Sequence, residues 1–129
     1  MERPVAVAMA DERDCLKLCA LLQRQDYRAI PLHSVPSLER HIQQSGPQVV
    51  ILDLDSLPVN NRLFRDLKKI NPEVRIIGLS SRPFHPELKE AISGFMLACI
   101  ARSFDEDELL FWLKSIRAER QEPTESPAI

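Results

Sequence analysis

The segment "VVILDLDSLPVN", residues 49–60, runs four apolar residues directly into two carboxylates, Asp53 and Asp55. A continuous apolar run of this kind is typical of a parallel strand that is covered on both faces. In sheets built from such strands, functional sites lie at the carboxyl ends of the strands. The two acids are therefore either functional carboxylates or only the polar end of a buried strand.

Similar apolar runs recur along the chain and alternate with amphipathic helical patterns. The second run contains Pro31, which removes a ladder N–H donor and so suits an edge strand. Strict alternation of five strands and five helices predicts an α/β fold with one doubly wound parallel sheet and helices on both faces. The predicted strands cover 4–10, 27–33, 49–52, 74–80 and 95–101, and the predicted helices cover 11–25, 37–44, 61–70, 86–93 and 105–120.

The chain has 129 residues and a formal net charge of -2, which suits one compact domain. We predict a domain over 1–120 and a disordered tail or linker start over 121–129, where the sequence is polar and contains proline. No run of Lys and Arg marks a nucleic-acid surface, and no apolar run reaches the roughly 18 residues of a membrane span. The first residues turn acidic too early for a signal peptide, so we expect a cytoplasmic protein.

The three cysteines form neither a disulfide framework nor a zinc-ribbon pattern. Cys15 and Cys19 follow the i, i+3, i+4, i+7 spacing with Leu18 and Leu22, which predicts a single core stripe on the first helix. A metal site on the two thiols is disfavoured because the histidines are scattered and supply no second ligand pair. We therefore expect reduced thiols packed in the core, Cys99 included.

Polar side chains follow four of the predicted strands and would meet at the carboxyl edge of the sheet, where the strands end. They are Asp11, Asp53 and Asp55, Ser80, and Arg102. Structural roles are also open for some of them. Asp11 suits an N-cap of the first helix, Ser80 suits a bond to loop backbone, and Arg102 suits an ion pair with the acids.

About residues 4–118 resemble a receiver domain of a two-component response regulator. The residues that carry the resemblance are the acid after the first strand, "VVILDLD", the hydroxyl that closes "RIIGLS", and "RSFDEDEL" where receivers usually have Lys-Pro-Phe. The resemblance implies a CheY-like, flavodoxin-like sheet with strand order 2-1-3-4-5. It also implies a signalling protein rather than an enzyme, with a histidine kinase or phosphotransfer protein as partner.

The same resemblance assigns a role to each residue at the carboxyl edge. Asp53 would attack a partner's phosphohistidine and become an acyl phosphate. Mg²⁺ would be held by Asp11, Asp53 and the carbonyl of Asp55. The hydroxyl of Ser80 and the cation of Arg102 would contact the phosphoryl group.

Four positions depart from the receiver pattern. Ala10 replaces one of two adjacent acids, which should weaken Mg²⁺ binding. Arg102 stands where a Lys is usual, and the two cations are not interchangeable at a tight phosphoryl site. Ser103 replaces a proline, so the cis peptide bond typical of that loop is not expected. Cys99 replaces the aromatic residue that usually responds to the hydroxyl.

Three functions remain open at this point. In the leading one, Asp53 accepts a phosphoryl group in a phosphorelay and the domain signals through protein contacts. In the alternative, the chain is a pseudo-receiver, in which an Asp53–Arg102 pair fixes one conformation and the contacts need no phosphate. A remote third is a haloacid-dehalogenase-like phosphohydrolase, because Asp-x-Asp follows an apolar strand and Ser80 follows a later one.

Phe111 suggests a contact surface on the last helix. It points away from the predicted core positions Leu109, Leu113 and Ile116, next to the apolar strand at 95–101. An exposed aromatic there would suit a partner contact or a homodimer through the last strand and helix. Single exposed apolar side chains are also common, so the position alone does not decide.

Overall fold

The structure is a computed structural model that describes residues 3–45, 49–82, 85–101 and 106–121. Strands and helices alternate along these ranges as the apolar periodicity predicts. The strands are β1 (Arg3–Ala8), β2 (Tyr27–Leu32), β3 (Val49–Asp53), β4 (Arg75–Ser80) and β5 (Met96–Ala101). The helices are α1 (Glu12–Arg24), α2 (Val35–Ser45), α3 (Asn61–Ile70), α4 (Lys89–Gly94) and α5 (Glu106–Gln121), with a 3₁₀ turn at Pro86–Leu88 before α4.

The five strands form one parallel sheet in the order β2-β1-β3-β4-β5, so the predicted fold class and strand order are confirmed. β3 lies in the centre, and all five of its residues are buried. Its register places Ile51 between Val7 of β1 and Ile77 of β4, and Asp53 beside Leu79. The sheet therefore delivers Asp53 to the carboxyl edge at the end of its most enclosed strand.

Helices cover both faces of the sheet and create two cores. α1 and α5 pack on one face, where the predicted stripe of Cys15, Leu18, Cys19 and Leu22 is buried. α2, α3 and α4 pack on the other face, around the fully buried Phe64. Within the described ranges, no helix has the length and apolar character needed to cross a membrane.

The last strand is less covered than its sequence predicts. β5 lies at one edge of the sheet, and Cys99 is exposed, so the prediction of a packed thiol is wrong there. The reason is positional, since an edge strand lies beyond the helices that enclose β1 and β3. For α5, Leu109, Leu113 and Ile116 are buried as predicted, and Trp112 is partly buried against the same core.

Gly78 of β4 permits a close approach beneath the carboxyl edge. A Cβ at this position would lie 2.9 Å from Sδ of Met96 and 3.1 Å from Cδ1 of Leu54, closer than side chains normally pack. The absence of a side chain lets Leu54 fold down over the sheet directly after Asp53. The loop that follows β3 is thereby held against β4, and the polar side chains at the two strand ends come into contact.

Candidate functional site

Asp53 is fully buried, and both of its carboxylate oxygens accept hydrogen bonds from its own loop. The backbone N–H of Asp55 donates to Oδ1 at 3.0 Å, and the hydroxyl of Ser56 donates to Oδ2 at 2.7 Å. The Ser56 oxygen also accepts the backbone N–H of Ala10, at 3.1 Å. Ser56 therefore connects the Asp53 carboxylate to Ala10, in the loop after β1. Ala10 is the position where the resemblance implies an additional acid.

The side chain of Asp55 points toward the loop after β4. Its Oδ1 accepts the hydroxyl of Ser80 at 3.2 Å, and its Oδ2 accepts the backbone N–H of Ser81 at 2.7 Å. The structure thus brings Asp53, Asp55 and Ser80 together at one edge, with Asp55 between the other two. Hydrogen bonds to an ionised carboxylate are among the stronger ones in proteins, so this contact joins the two loops firmly.

The hydroxyl of Ser80 is buried and has a full set of partners. Besides its contact with Asp55, its oxygen lies within hydrogen-bond distance of Nε2 of His85 and accepts the backbone N–H of Arg82 at 3.0 Å. A serine hydroxyl has one hydrogen and two acceptor lone pairs. The hydrogen faces two acceptors at 3.2 Å, Oδ1 of Asp55 and the carbonyl of Arg82, and the lone pairs face His85 and the backbone N–H of Arg82.

His85 is buried beside Ser80, and its contacts define its tautomer. Nη2 of Arg82 lies 2.7 Å from Nδ1 of the imidazole. A guanidinium only donates, so Nδ1 must accept and the ring proton must be on Nε2, facing Ser80. His85 therefore donates to Ser80 and does not act as its general base, which excludes serine nucleophile chemistry for this pair.

Arg82 extends the network to the segment that leads into α4. The same Nη2 donates to Oε2 of Glu87, in the 3₁₀ turn before α4. The hydrogen bond from Arg82 lowers the pKa of Glu87 from its ordinary value, with a smaller contribution from the charge of Arg82. Glu87 is therefore ionised at neutral pH, and the contact is a surface ion pair.

Asp11, directly before α1, has a structural role in the helix. It is the N-cap of α1, and its carboxylate accepts the backbone N–H of Asp14 at 3.0 Å. The capping prediction is confirmed. Asp53 and Asp55 likewise each accept a backbone N–H, from Asp55 and from Ser81.

The Mg²⁺ ligands that the resemblance implies, Asp11, Asp53 and the carbonyl of Asp55, all lie in the described ranges. No group of three or more His, Cys, Asp or Glu side chains there is placed to hold a metal ion. Magnesium requires oxygen ligands in nearly octahedral geometry, whereas Asp11, Asp53 and Asp55 each have an oxygen turned onto a backbone N–H. The ligand set implied by the resemblance, which includes a backbone carbonyl, stays a prediction.

A cavity of about 290 Å³ lies beside the network, between the end of β4 and β5. Cys99 lines it, and partial burial of the thiol, followed by the negative charge of Asp55, raises its pKa from the ordinary value. Arg102, the predicted cation of the site, lies outside the described residues, as does Ser103. The described lining residues are Ser80, Ser81, Arg82, His85, Ile92, Cys99, Ile100 and Ala101.

Phe111 is 60% exposed on α5, as its helical position predicts. Its ring meets that of Trp112 edge to face, with centroids 5.3 Å apart and an interplanar angle of 79°. The pair presents aromatic area next to the half-exposed β5.

Four residues of the network were missed from the sequence: Ser56, Arg82, His85 and Glu87. Ser56 follows Asp53 by three residues, and His85 follows Ser80 by five, but no spacing rule connects either pair to a site. His85 was counted among scattered histidines, because its role depends on burial and on the side chain of Arg82. Ser56 offered only the weak signal of a hydroxyl shortly after a strand-end acid.

No protein-family model and no curated protein matches the chain. Among solved structures, it is similar to a CheY-like response regulator receiver domain from Methanospirillum hungatei JF-1, with a TM-score of 0.84 and 12% identity over 95% of this chain and 98% of that one. It is also similar to the signal receiver domain of an HD domain-containing protein from Pseudomonas fluorescens Pf-5, with a TM-score of 0.82 and 17% identity over 95% and 100%. A third is the signal receiver domain of a putative Luxo repressor protein from Vibrio parahaemolyticus, with a TM-score of 0.81 and 13% identity over 98% and 100%. At these identities the likeness shows the fold, which is that of a CheY-like receiver domain.

Proposed function

We propose that this chain, which has the receiver-domain fold, is a signal-transduction module of the pseudo-receiver type rather than an enzyme. It acts through protein contacts and does not need a phosphoryl group on Asp53. The observation that carries this proposal is the state of Asp53, which is fully buried and accepts hydrogen bonds at both carboxylate oxygens. A nucleophilic oxygen must approach phosphorus in line, and here Ser56 and the Asp55 amide lie on the two oxygens.

The arrangement of the other acids supports the same proposal. Phosphoryl transfer to a carboxylate normally relies on a divalent cation to neutralise the transferred group. Asp11 caps α1 and Asp55 binds the loop after β4, so an oxygen of each already accepts a backbone N–H. The described residues therefore maintain one closed hydrogen-bonded arrangement instead of an open acceptor site.

The proposed contact surface consists of β5 and the exposed side of α5. Phe111 and Trp112 supply aromatic area, a residue type enriched at the centres of protein interfaces. β5 is an edge strand with partly exposed Met96 and Leu97. A second copy of this chain or a signalling partner would bury this surface.

Phosphorylation of Asp53 is the second candidate function, and the position of Asp53 in the sheet favours this function. Asp53 ends the central strand at the carboxyl edge, where sheets of this type place their reactive groups. In that case Mg²⁺ would bind with Asp11, Asp53 and the carbonyl of Asp55, and Arg102 would pair with the phosphoryl group. The partner would be a histidine kinase or a phosphotransfer protein.

The two candidates separate in one experiment with the purified full chain. It is incubated with Mg²⁺ and acetyl phosphate, and in parallel with beryllium fluoride, which mimics a bound phosphoryl group without any kinase. Intact mass and ¹⁹F NMR should show no adduct and no bound fluoride. An adduct or fluoride signal that needs Mg²⁺ and disappears in Asp53→Asn would instead establish a working receiver. Turnover of p-nitrophenyl phosphate that is lost in the same variant would favour the phosphohydrolase alternative.

The contact surface is tested by sedimentation or light scattering. We expect the wild-type chain to self-associate with rising concentration, or to bind a partner, and Phe111→Ser to weaken that association. Leu16→Ser is a matched control, because Leu16 is exposed to a similar degree, 58%, but lies on α1. Equal effects of both substitutions would contradict a surface specific to β5 and α5.

A further inference from the structure

We infer that the Asp55 carboxylate is an internal substitute for a phosphoryl group, and that it fixes the start of α4 through Ser80 and His85. The inference rests on the proposed function, since it explains how the module holds one conformation without phosphate. It assigns to Asp55 a role that neither a metal ligand nor a solvated strand end would have. Four contacts along the described chain carry it.

The first contact is between Asp55 and the loop after β4. The hydroxyl of Ser80 and the backbone N–H of Ser81 both converge on this one carboxylate, at 3.2 and 2.7 Å. Each donor has a single hydrogen to give. The Ser81 amide is therefore already bound to an anion, and the Ser80 hydroxyl has the same anion as one of its two acceptors. A phosphoryl group attached to Asp53, two residues away, would have to compete with that anion for them.

The second contact is the hydrogen bond between Ser80 and His85. His85 and the backbone N–H of Arg82 hold the oxygen of Ser80, while its hydrogen faces both Asp55 and the carbonyl of Arg82 at 3.2 Å. An unsatisfied buried polar group is costly, so Ser80 and His85 move together or not at all. Ser80 thus connects the charged end of the network to a buried imidazole.

The third and fourth contacts reach α4. Arg82 touches both Nδ1 of His85 and the carboxylate of Glu87, which belongs to the 3₁₀ turn before α4. The backbone N–H of Leu88 donates to the carbonyl of His85 at 3.0 Å, which closes the same turn. His85 is therefore one of the residues that hold the turn before α4, together with Asn61, which bonds to Glu87 and Ala91.

The contacts from Asp55 through Ser80 to His85 would replace a coupling that the sequence lacks. In the family that the sequence resembles, the hydroxyl after the fourth strand is coupled to an aromatic residue in the fifth strand. Here that position is Cys99, which is exposed and lines a cavity instead of filling it. The described contacts connect the carboxyl edge to α4 through His85, inside one loop.

Amide hydrogen exchange of the full chain tests the inference. In Asp55→Ala, the amides of Ser81, Leu88 and Ala91 should exchange about tenfold faster, as expected when a hydrogen bond to a charged group is lost. In His85→Leu, Leu88 and Ala91 should lose protection while Ser81 keeps it. Asp55→Asn, which retains an acceptor without the charge, should lie between wild type and Asp55→Ala. Asp66→Asn on the exposed side of α3 is the matched control and should leave all three amides unchanged.

Inorganic phosphate provides the second arm. Added to Asp55→Ala, it should restore protection of Ser81 and Leu88, because a tetrahedral oxyanion can take the vacated donors. Added to wild type, it should change nothing. If Asp55→Ala affects Ser81 but leaves Leu88 and Ala91 at wild-type rates, the relay is refuted. If phosphate has no effect on that variant, the substitution of Asp55 for a phosphoryl group is refuted.

The outcome is separable from that of the proposed function. A phosphoryl adduct on wild-type Asp53, together with the expected exchange pattern, would overturn the pseudo-receiver proposal and leave the relay intact. Absence of an adduct, together with unchanged exchange in Asp55→Ala, would overturn the relay alone. Circular dichroism of each variant establishes that it is folded before exchange is compared.

Discussion

Asn61 is the residue whose loss should most directly release α4. This helix has only six residues, too few to be stable by itself, and its own N-cap position, Leu88, makes no side-chain capping bond. Asn61, at the start of α3, supplies what is missing. Its Oδ1 accepts the backbone N–H of Ala91 at 3.0 Å, and its Nδ2 donates to the carbonyl of Glu87 at 3.2 Å.

The expected cost of Asn61→Ala follows from these two bonds. A lost helix cap costs about 1 kcal/mol, and a second neutral hydrogen bond contributes about 0.5 to 1 kcal/mol. Alanine in place of asparagine at the first position of α3 returns about 0.5 kcal/mol of helix propensity. The free energy of unfolding should therefore fall by about 1 to 1.5 kcal/mol, which lowers Tm by about 3 to 7 °C in a chain of this size.

Urea and thermal denaturation followed by circular dichroism measure this change, and exchange of the Ala91 amide localises it. Asn61→Asp is the matched variant, since a carboxylate oxygen still accepts from Ala91 but nothing donates to Glu87. It should lose less stability than Asn61→Ala and keep more protection at Ala91. Equal unfolding midpoints for wild type and Asn61→Ala, or an unchanged Ala91 exchange rate, would refute the reasoning.

Three further predictions concern single side chains. Because burial and the charge of Asp55 raise the pKa of Cys99, alkylation of this thiol should be slow at neutral pH and should accelerate in Asp55→Asn; identical pH–rate profiles would contradict that. Burial, followed by the charge of Arg28, lowers the pKa of His41 below its ordinary 6.5, so the unfolded chain binds more protons. Stability should therefore fall as the pH drops below about 6.5, and His41→Leu should flatten this dependence in urea titrations. Asp26 has φ 68°, so Asp26→Gly should raise the urea midpoint by the equivalent of about 0.5 to 1 kcal/mol, whereas a lower midpoint would show that its side chain stabilises the turn.

The fold was predictable because its buried strands are continuous apolar runs. The helix predicted over 61–70 is α3 with the same bounds, and β3 extends the predicted strand by one residue. The predicted helix over 86–93 is instead a 3₁₀ turn followed by a short α4. Its helical register depends on Asn61, a residue about 30 positions away, which local periodicity does not contain.

The candidate site was predictable in position but not in its contacts. The rule that sites lie at the carboxyl ends of parallel strands correctly brings Asp53, Asp55 and Ser80 together. It does not say which way a side chain turns. Asp55 binds Ser80 and Ser81 because Leu54 folds over Gly78, and His85 joins the network because Arg82 lies against its ring. Such choices depend on tertiary packing and leave no periodic trace in the sequence.

The two edges of the sheet differ in how they meet another chain. β2 carries Pro31, whose missing N–H interrupts any ladder that a neighbouring strand would form on that side. β5 contains neither a proline nor a charged residue between Met96 and Ala101. Each molecule therefore has one sheet edge, β5, on which a strand of another chain can pair. Two copies joined along β5 would present only their β2 edges outward, so the assembly would stop at a pair instead of extending into a fibre.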